Sequence, residues 1–234
     1  MSTLVTYSTE AGIATITMDD GKRNAVSSEM LAELNGAFDR ALAEKVPVIL
    51  TGRPETFSAG FDLKVMMAGG APAASMVLTG FELGERLMQF PTPVVVACNG
   101  NAIAMGAFLL LSSDYRIGTA GAYRVVANEV ALGITMPHFA IEICRQRLTP
   151  QHFNRAVNNS EPYGPEDAVV AGWLDRVMPA ADLMSTARST VAELMKLNPA
   201  AHAATKLRSR AVTLKAIRTA IEADRDSFRT LFGV

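Results

Sequence analysis

The sequence predicts an α/β domain with a helical C-terminal region, and three observations carry that prediction. Short apolar runs at residues 48–50 and 94–98 alternate with amphipathic stretches, the pattern of parallel strands joined by right-handed crossovers. Residues 104–112 are apolar almost all round, as expected of a helix inside a domain. From Thr149 onward helical segments dominate, broken by Pro162, Pro165, Pro179 and Pro199, with one strand-like piece at 174–178.

Taken in order, residues 4–7 and 13–18 alternate like strands, and Glu10-Ala11-Gly12 between them fits a hairpin turn. Ser27 or Ser28 can cap a helix with apolar positions Met30, Leu31, Leu34, Phe38 and Leu42 at helical spacing. Pro47 precedes the strand at 48–50, and a second helix is expected over 74–89. The Gly-Gly-containing stretch 66–74 reads as a mobile loop. After Pro91-Thr92-Pro93 come the strand at 94–98, the buried helix and a strand at 114–117. The stretch 200–232 has few breakers and reads as one or two helices, folded on the core or on a neighbouring subunit.

Composition narrows the function. Apolar residues at 49% and charged residues at 19% suffice for a packed core, and a net charge of −1 gives no global field for nucleic acid or a membrane surface. No apolar run is long enough to span a bilayer. Cys98 and Cys144, both in apolar company, read as reduced thiols, and residues 1–7 lack the pattern of a signal peptide, so a cytoplasmic protein is expected. His138, His152 and His202 are scattered and the cysteines lack ligand spacing, so no metal site is expected. Nucleophile-elbow, dinucleotide-binding and Walker motifs are absent.

Chemistry concentrates in two Gly-containing turns that follow core strands, at residues 50–64 and 97–106. Loops at the carboxyl ends of parallel strands are where open α/β sheets place ligands. Their backbone N–H groups can face an oxygen that gains charge during reaction. A single Gly-rich loop is more often a plain tight turn; the ordered combination is less ordinary. Lys22-Arg23-Asn24-Ala25-Val26 comes first, then Phe57-Ser58-Ala59-Gly60-Phe61-Asp62-Leu63-Lys64, then Asn99-Gly100 with Met105-Gly106. Ser113-Asp114-Tyr115-Arg116-Ile117, Asn128-Glu129-Val130-Ala131-Leu132-Gly133-Ile134 and Gly164-Pro165-Glu166-Asp167-Ala168 follow, before Gly172-Trp173-Leu174-Asp175-Arg176-Val177.

In this order and wording the chain resembles the crotonase, or enoyl-CoA hydratase/isomerase, superfamily over nearly its whole length. The resemblance implies a ββα spiral core at residues 1–178 holding an acyl-CoA site, and a helical, trimer-forming region at 179–234. It further implies a coenzyme A thioester as substrate, no separate cofactor, and a homotrimer or hexamer. The N–H groups of Phe61 and Met105 would form the oxyanion hole, and Lys22, Arg23 and Lys64 are the basic candidates for coenzyme A; as surface residues each is equally a plain solvated charge. Many relatives carry consecutive glycines where this chain has Ala104-Met105-Gly106.

Family hydratases use two glutamates. The first matching position, eight residues after Gly100, is Phe108, and the second is Glu129; Glu142 is not at the family position. A carboxylate among apolar neighbours has a raised pKa suited to general-base work. One glutamate suffices to move a proton from C2 to C4 of a 3-enoyl thioester, so the chain resembles the Δ3,Δ2-enoyl-CoA isomerase branch. Phe108, Ile134 and Phe139 would then line the acyl pocket and keep water from the enolate, although core packing is the commoner role for such side chains. Long acyl substrates would require residues 68–77 to line a tunnel. A hydratase, a thioesterase, a decarboxylase and a non-catalytic acyl-CoA binder are the alternatives, and a Glu129 tied to backbone amides would favour the last.

Overall fold

The structure is a computed structural model that describes residues 3–232, so the first two positions of the expected core and the last two of the expected helical region lie outside it. Strand β1 (Val5–Glu10) pairs antiparallel with β2 (Ile13–Met18) through a two-residue turn. Ala11 and Gly12 both take positive φ, 49° and 74°, the backbone that matches the twist of a tight hairpin. The short β3 (Ala25–Val26) leads to α1 (Ser28–Glu44), whose N-cap is Ser27, its hydroxyl accepting from Met30 N. Met30, Leu31, Leu34 and Phe38 are buried as the spacing predicts, whereas Leu42 lies exposed on the far edge of the helix.

From here the chain repeats one unit three times, each laying one strand in the main sheet and one in a second sheet before its helical part, and the first unit adds a short strand that pairs with β3. The first unit is β4 (Val48–Thr51), β5 (Glu55–Ser58), β6 (Gly60–Phe61), α2 (Leu63–Ala68) and α3 (Gly70–Gln89). The second is β7 (Val94–Cys98), β8 (Gly100–Ile103) and α4 (Met105–Ser112). The third is β9 (Tyr115–Thr119), β10 (Val125–Val126), a 3-10 turn at Val130–Leu132 and α5 (His138–Arg147). The main sheet has the order β1-β2-β4-β7-β9-β11, where β11 is Arg176–Met178, with every pair after the hairpin parallel. A second parallel sheet has the order β10-β8-β5, and β3 pairs with β6. This is the ββα spiral that the sequence leads one to expect.

One expectation fails. Residues 66–74 are helical, in α2 and the start of α3, with a break at Gly69 (φ 67°, ψ −153°), a backbone geometry that glycine adopts without strain. The Gly-Gly pair therefore marks a corner between helices rather than a loop.

Helices α6 (Pro150–Asn159) and α7 (Pro165–Ala171) precede β11 (Arg176–Met178), and α8 (Leu183–Leu194), α9 (Pro199–Ser209) and α10 (Ala211–Phe232) complete the chain. All eight residues of α4 are buried, and Trp173 is fully enclosed. Helix α10 packs on α3 and α5. Arg218 pairs with Glu85 at 2.7 Å and Arg225 with Glu82 at 3.0 Å. The Asp224 carboxylate accepts from His138 N and Phe139 N, both at 2.8 Å, capping α5. A buried cluster ties α9 down: Asp114 takes Lys206 at 2.6 Å and Arg210 at 2.9 Å while accepting from Val94 N. Among the described residues no helix is long and apolar enough to cross a membrane.

Candidate functional site

The first loop is shaped by Asn24, a fully buried residue at φ 52°. Its amide donates to Met18 O and Phe57 O, while its Oδ1 accepts from Asp20 N. Ser58 Oγ donates to Asn24 O, and Ala59 N donates to Arg23 O at 3.0 Å. These bonds hold the segment that ends in Gly60-Phe61 against the Lys22–Val26 turn. The second loop is fixed by Asn99, whose side chain accepts from Gly52 N and donates to Gly52 O. Gly100 follows because a Cβ there would overlap the Glu55 carbonyl.

The two loops meet at Gly60. Its φ is 86°, and a Cβ there would sit 2.9 Å from Ile103 O and 3.5 Å from Met105 N. Met105 begins α4, so its N–H has no partner within the helix. Phe61 follows Gly60 directly, so the backbones of the two candidate donors run side by side. Ala104, just before Met105, has φ 49° and ψ −121°, a conformation that suits glycine and strains alanine. The departure from consecutive glycines is thus absorbed by a strained alanine, while Gly106 lets α4 press on Ser58.

Beside these donors lies a partly open cavity of about 130 Å³. Ala59 and Phe61 come from the first loop, Ala104 and Phe108 from the second. Leu63, Met66, Val77 and Phe81 descend from α2 and α3, and Leu132, Ile134, Pro137 and Phe228 close the other walls. The polar side chains among the lining residues are Asn128 and Glu129.

Glu129 is placed by the second sheet. Strand β10 runs parallel to β8, and Ala104 N donates to Val126 O at 2.8 Å, which brings the end of β10 beside the second loop. Glu129 then caps the 3-10 turn through its carbonyl, which accepts from Leu132 N and Ile134 N. Its side chain is left to face the cavity. Glu129 is 9% exposed, and its Oε2 is buried with no hydrogen-bond partner among the described residues. Burial pushes its pKa up to about 7. Asn128 Oδ1 is also buried without a partner among the described residues. Behind Glu129, the Cys144 thiol is raised well above its ordinary value by burial and then by the Glu129 charge, so it stays neutral. Cys98 is pushed up to about 12 by burial, so neither cysteine is an activated nucleophile.

Phe108 and Ile134 line the cavity, Phe108 at 1% exposure. Phe139 does not. It is fully buried one layer back, stacked on Phe81 with ring centroids 4.5 Å apart and edge-on to Phe108 at 6.4 Å. Spacing along α5 could not tell a lining ring from one behind it, because the second layer depends on how α3 packs across. Lys22, Arg23 and Lys64 are exposed outside the cavity, and their side chains have no ion pair among the described residues. Residues 68–77 contribute Val77 alone to the lining. Sequence alone does not mark Phe81 and Phe228 as cavity residues, since their apolar, helical spacing is that of ordinary core positions. No group of three or more His, Cys, Asp or Glu among the described residues is arranged to hold a metal.

Comparison with known proteins agrees with this architecture. Residues 8–234 match the family described as enoyl-CoA hydratase/isomerase. The chain is 33% identical over 224 residues to human mitochondrial enoyl-CoA delta isomerase 1, covering 93% of this chain and 74% of that protein. It is 31% identical over 209 residues to Escherichia coli K12 carnitinyl-CoA dehydratase, covering 88% and 80%. Among solved structures, the apo Mtb enoyl-CoA isomerase superposes with a TM-score of 0.92 at 45% identity, covering 96% of this chain and 98% of that one. The chain belongs to the enoyl-CoA hydratase/isomerase family.

Proposed function

We propose that the protein is a Δ3,Δ2-enoyl-CoA isomerase acting with one carboxylate. The observation that carries this reading is the pairing of Glu129, buried and unpartnered at Oε2, with Phe108, an aromatic ring in the same cavity where a hydratase would need a second acid. Glu129 takes a proton from C2 of a 3-enoyl thioester. The electron pair of that C–H bond forms the enolate, whose oxygen is held by the N–H groups of Phe61 and Met105. Each such donor is worth about 3 kcal/mol of barrier. As the enolate collapses, Glu129 returns the proton to C4 and the double bond moves from C3–C4 to C2–C3. No water enters the balance, and the apolar lining keeps it out.

A pKa of about 7 suits a base that must both accept and release a proton. Lys22, Arg23 and Lys64, exposed near the first loop, are the groups we assign to the phosphates of coenzyme A. The similarity to a carnitinyl-CoA dehydratase favours a second reading, hydration or dehydration, which needs an acid that Phe108 cannot supply. The Glu129 carboxyl meets its own backbone N–H, and a non-catalytic binder is disfavoured because its Oε2 is left without a partner among the described residues.

The test follows 2-enoyl absorbance with cis- and trans-3-enoyl-CoA and, separately, trans-2-enoyl-CoA. Conversion of 3-enoyl substrate without hydration, abolished by Glu129→Gln, is the expected result. Hydration of 2-enoyl-CoA at a comparable rate would replace the isomerase with a hydratase.

A further inference from the structure

We infer that Phe228 of α10 sets the upper length of the acyl chain the site accepts. This rests on the acyl-thioester reading of the cavity, though not on which reaction follows. The cavity measures about 130 Å³, against the ~300–1,000 Å³ of ordinary small-molecule pockets. That is room for a short acyl chain and not for a long one. The stretch 68–77 opens no tunnel, since Val77 is its sole contribution to the lining.

One wall is thin. Ile134, Pro137 and Phe228 line the cavity on one side and, on the other, a groove of about 640 Å³ that runs past Thr135, Asp224 and Ser227. Phe228 is the aromatic residue shared by the two, 8% exposed, with its ring 6.2 Å from that of Phe81. Its position is set from one helical turn away, where Asp224 caps α5 through His138 N and Phe139 N. Arg225, on the next residue, adds the ion pair to Glu82. The ring is thus a fixed partition, and shortening it joins the cavity to the groove.

The experiment measures kcat/KM across 3-butenoyl-, 3-hexenoyl-, 3-octenoyl- and 3-dodecenoyl-CoA, and binding of saturated hexanoyl- and dodecanoyl-CoA by calorimetry. It uses the wild type, Phe228→Leu and Phe228→Ala, with thermal unfolding to confirm that each is folded. The wild type is expected to prefer the short chains by at least about tenfold. Phe228→Ala is expected to raise dodecenoyl over hexenoyl turnover, and dodecanoyl over hexanoyl affinity, by about tenfold, with Phe228→Leu between. Should Phe228→Ala fail to fold, the Leu variant carries the comparison. An unchanged rank order in a folded variant, or a uniform loss across all lengths, overturns the inference. Binding that shifts with chain length in a protein that turns over no 3-enoyl-CoA supports the inference and ends the isomerase reading. Absence of any acyl-CoA binding ends both.

Discussion

Gly60 and Met105 come from different turns of the spiral, yet a Cβ on Gly60 would lie 3.5 Å from the Met105 nitrogen. The proposed oxyanion hole therefore depends on a bare glycine backbone at its centre. Gly60→Ala adds a methyl group against Ile103 O and Ala104 and forces alanine into φ 86°. We expect it to cost about 1–3 kcal/mol of stability and to lower kcat far more than it raises KM. Steady-state kinetics beside chemical denaturation separate the two effects, and unchanged kcat would remove this junction from the site.

Ala104 tests the same geometry from the other side. At φ 49° it occupies a region where glycine is at ease. Ala104→Gly is expected to fold with stability within about 1 kcal/mol of the wild type, because relief of strain offsets the added chain entropy. Ala104→Val should be markedly less stable, since a β-branched residue is a genuine outlier at positive φ. Urea midpoints for the pair decide it.

Removal of the proposed base has a kinetic and a thermodynamic signature. Glu129→Gln should lower kcat by about 10²–10⁴-fold, and wild-type kcat/KM should rise with pH through about 7 as the carboxylate ionises. The stability effect has a definite sign. The folded-state pKa lies above the unfolded value, so the folded protein binds the proton more tightly, and that contribution is lost as pH rises through about 7. Glu129→Gln should therefore gain up to about 3 kcal/mol over the wild type at pH 8 and little at pH 4, by the energy of a pKa shift. A stability difference independent of pH would show that Glu129 is not ionising in the cavity.

The buried cluster around Asp114 should behave asymmetrically. Asp114→Ala leaves Lys206 and Arg210 without their shared carboxylate and Val94 N without its acceptor. A loss of about 3–5 kcal/mol is expected from stranding buried charge. Arg229, exposed and paired to Asp226 three residues away, should by contrast change stability by less than about 1 kcal/mol when replaced by Ala. Equal effects at the two sites would contradict the burial of the Asp114 cluster.

Much of the molecule was legible in its residues. Ala11-Gly12 demanded a tight hairpin, Ser27 offered the cap it makes, and the all-apolar stretch around α4 could lie only inside a domain. Asn99-Gly100 and Gly60 marked turns after core strands, and Glu129 among apolar neighbours implied a desolvated carboxylate. These features are local: they follow from backbone conformation, capping chemistry and hydrophobic period within a few residues. Tertiary structure alone decided that 66–74 is helical, that Phe139 stands behind Phe81 and not in the cavity, and that α10 packs on α3 and α5. It also decided that Phe228, 99 residues after Glu129 in the chain, shares a cavity with it. An apolar side chain on an amphipathic helix announces that it will be buried; what it is buried against depends on how distant elements pack, and no local pattern encodes that.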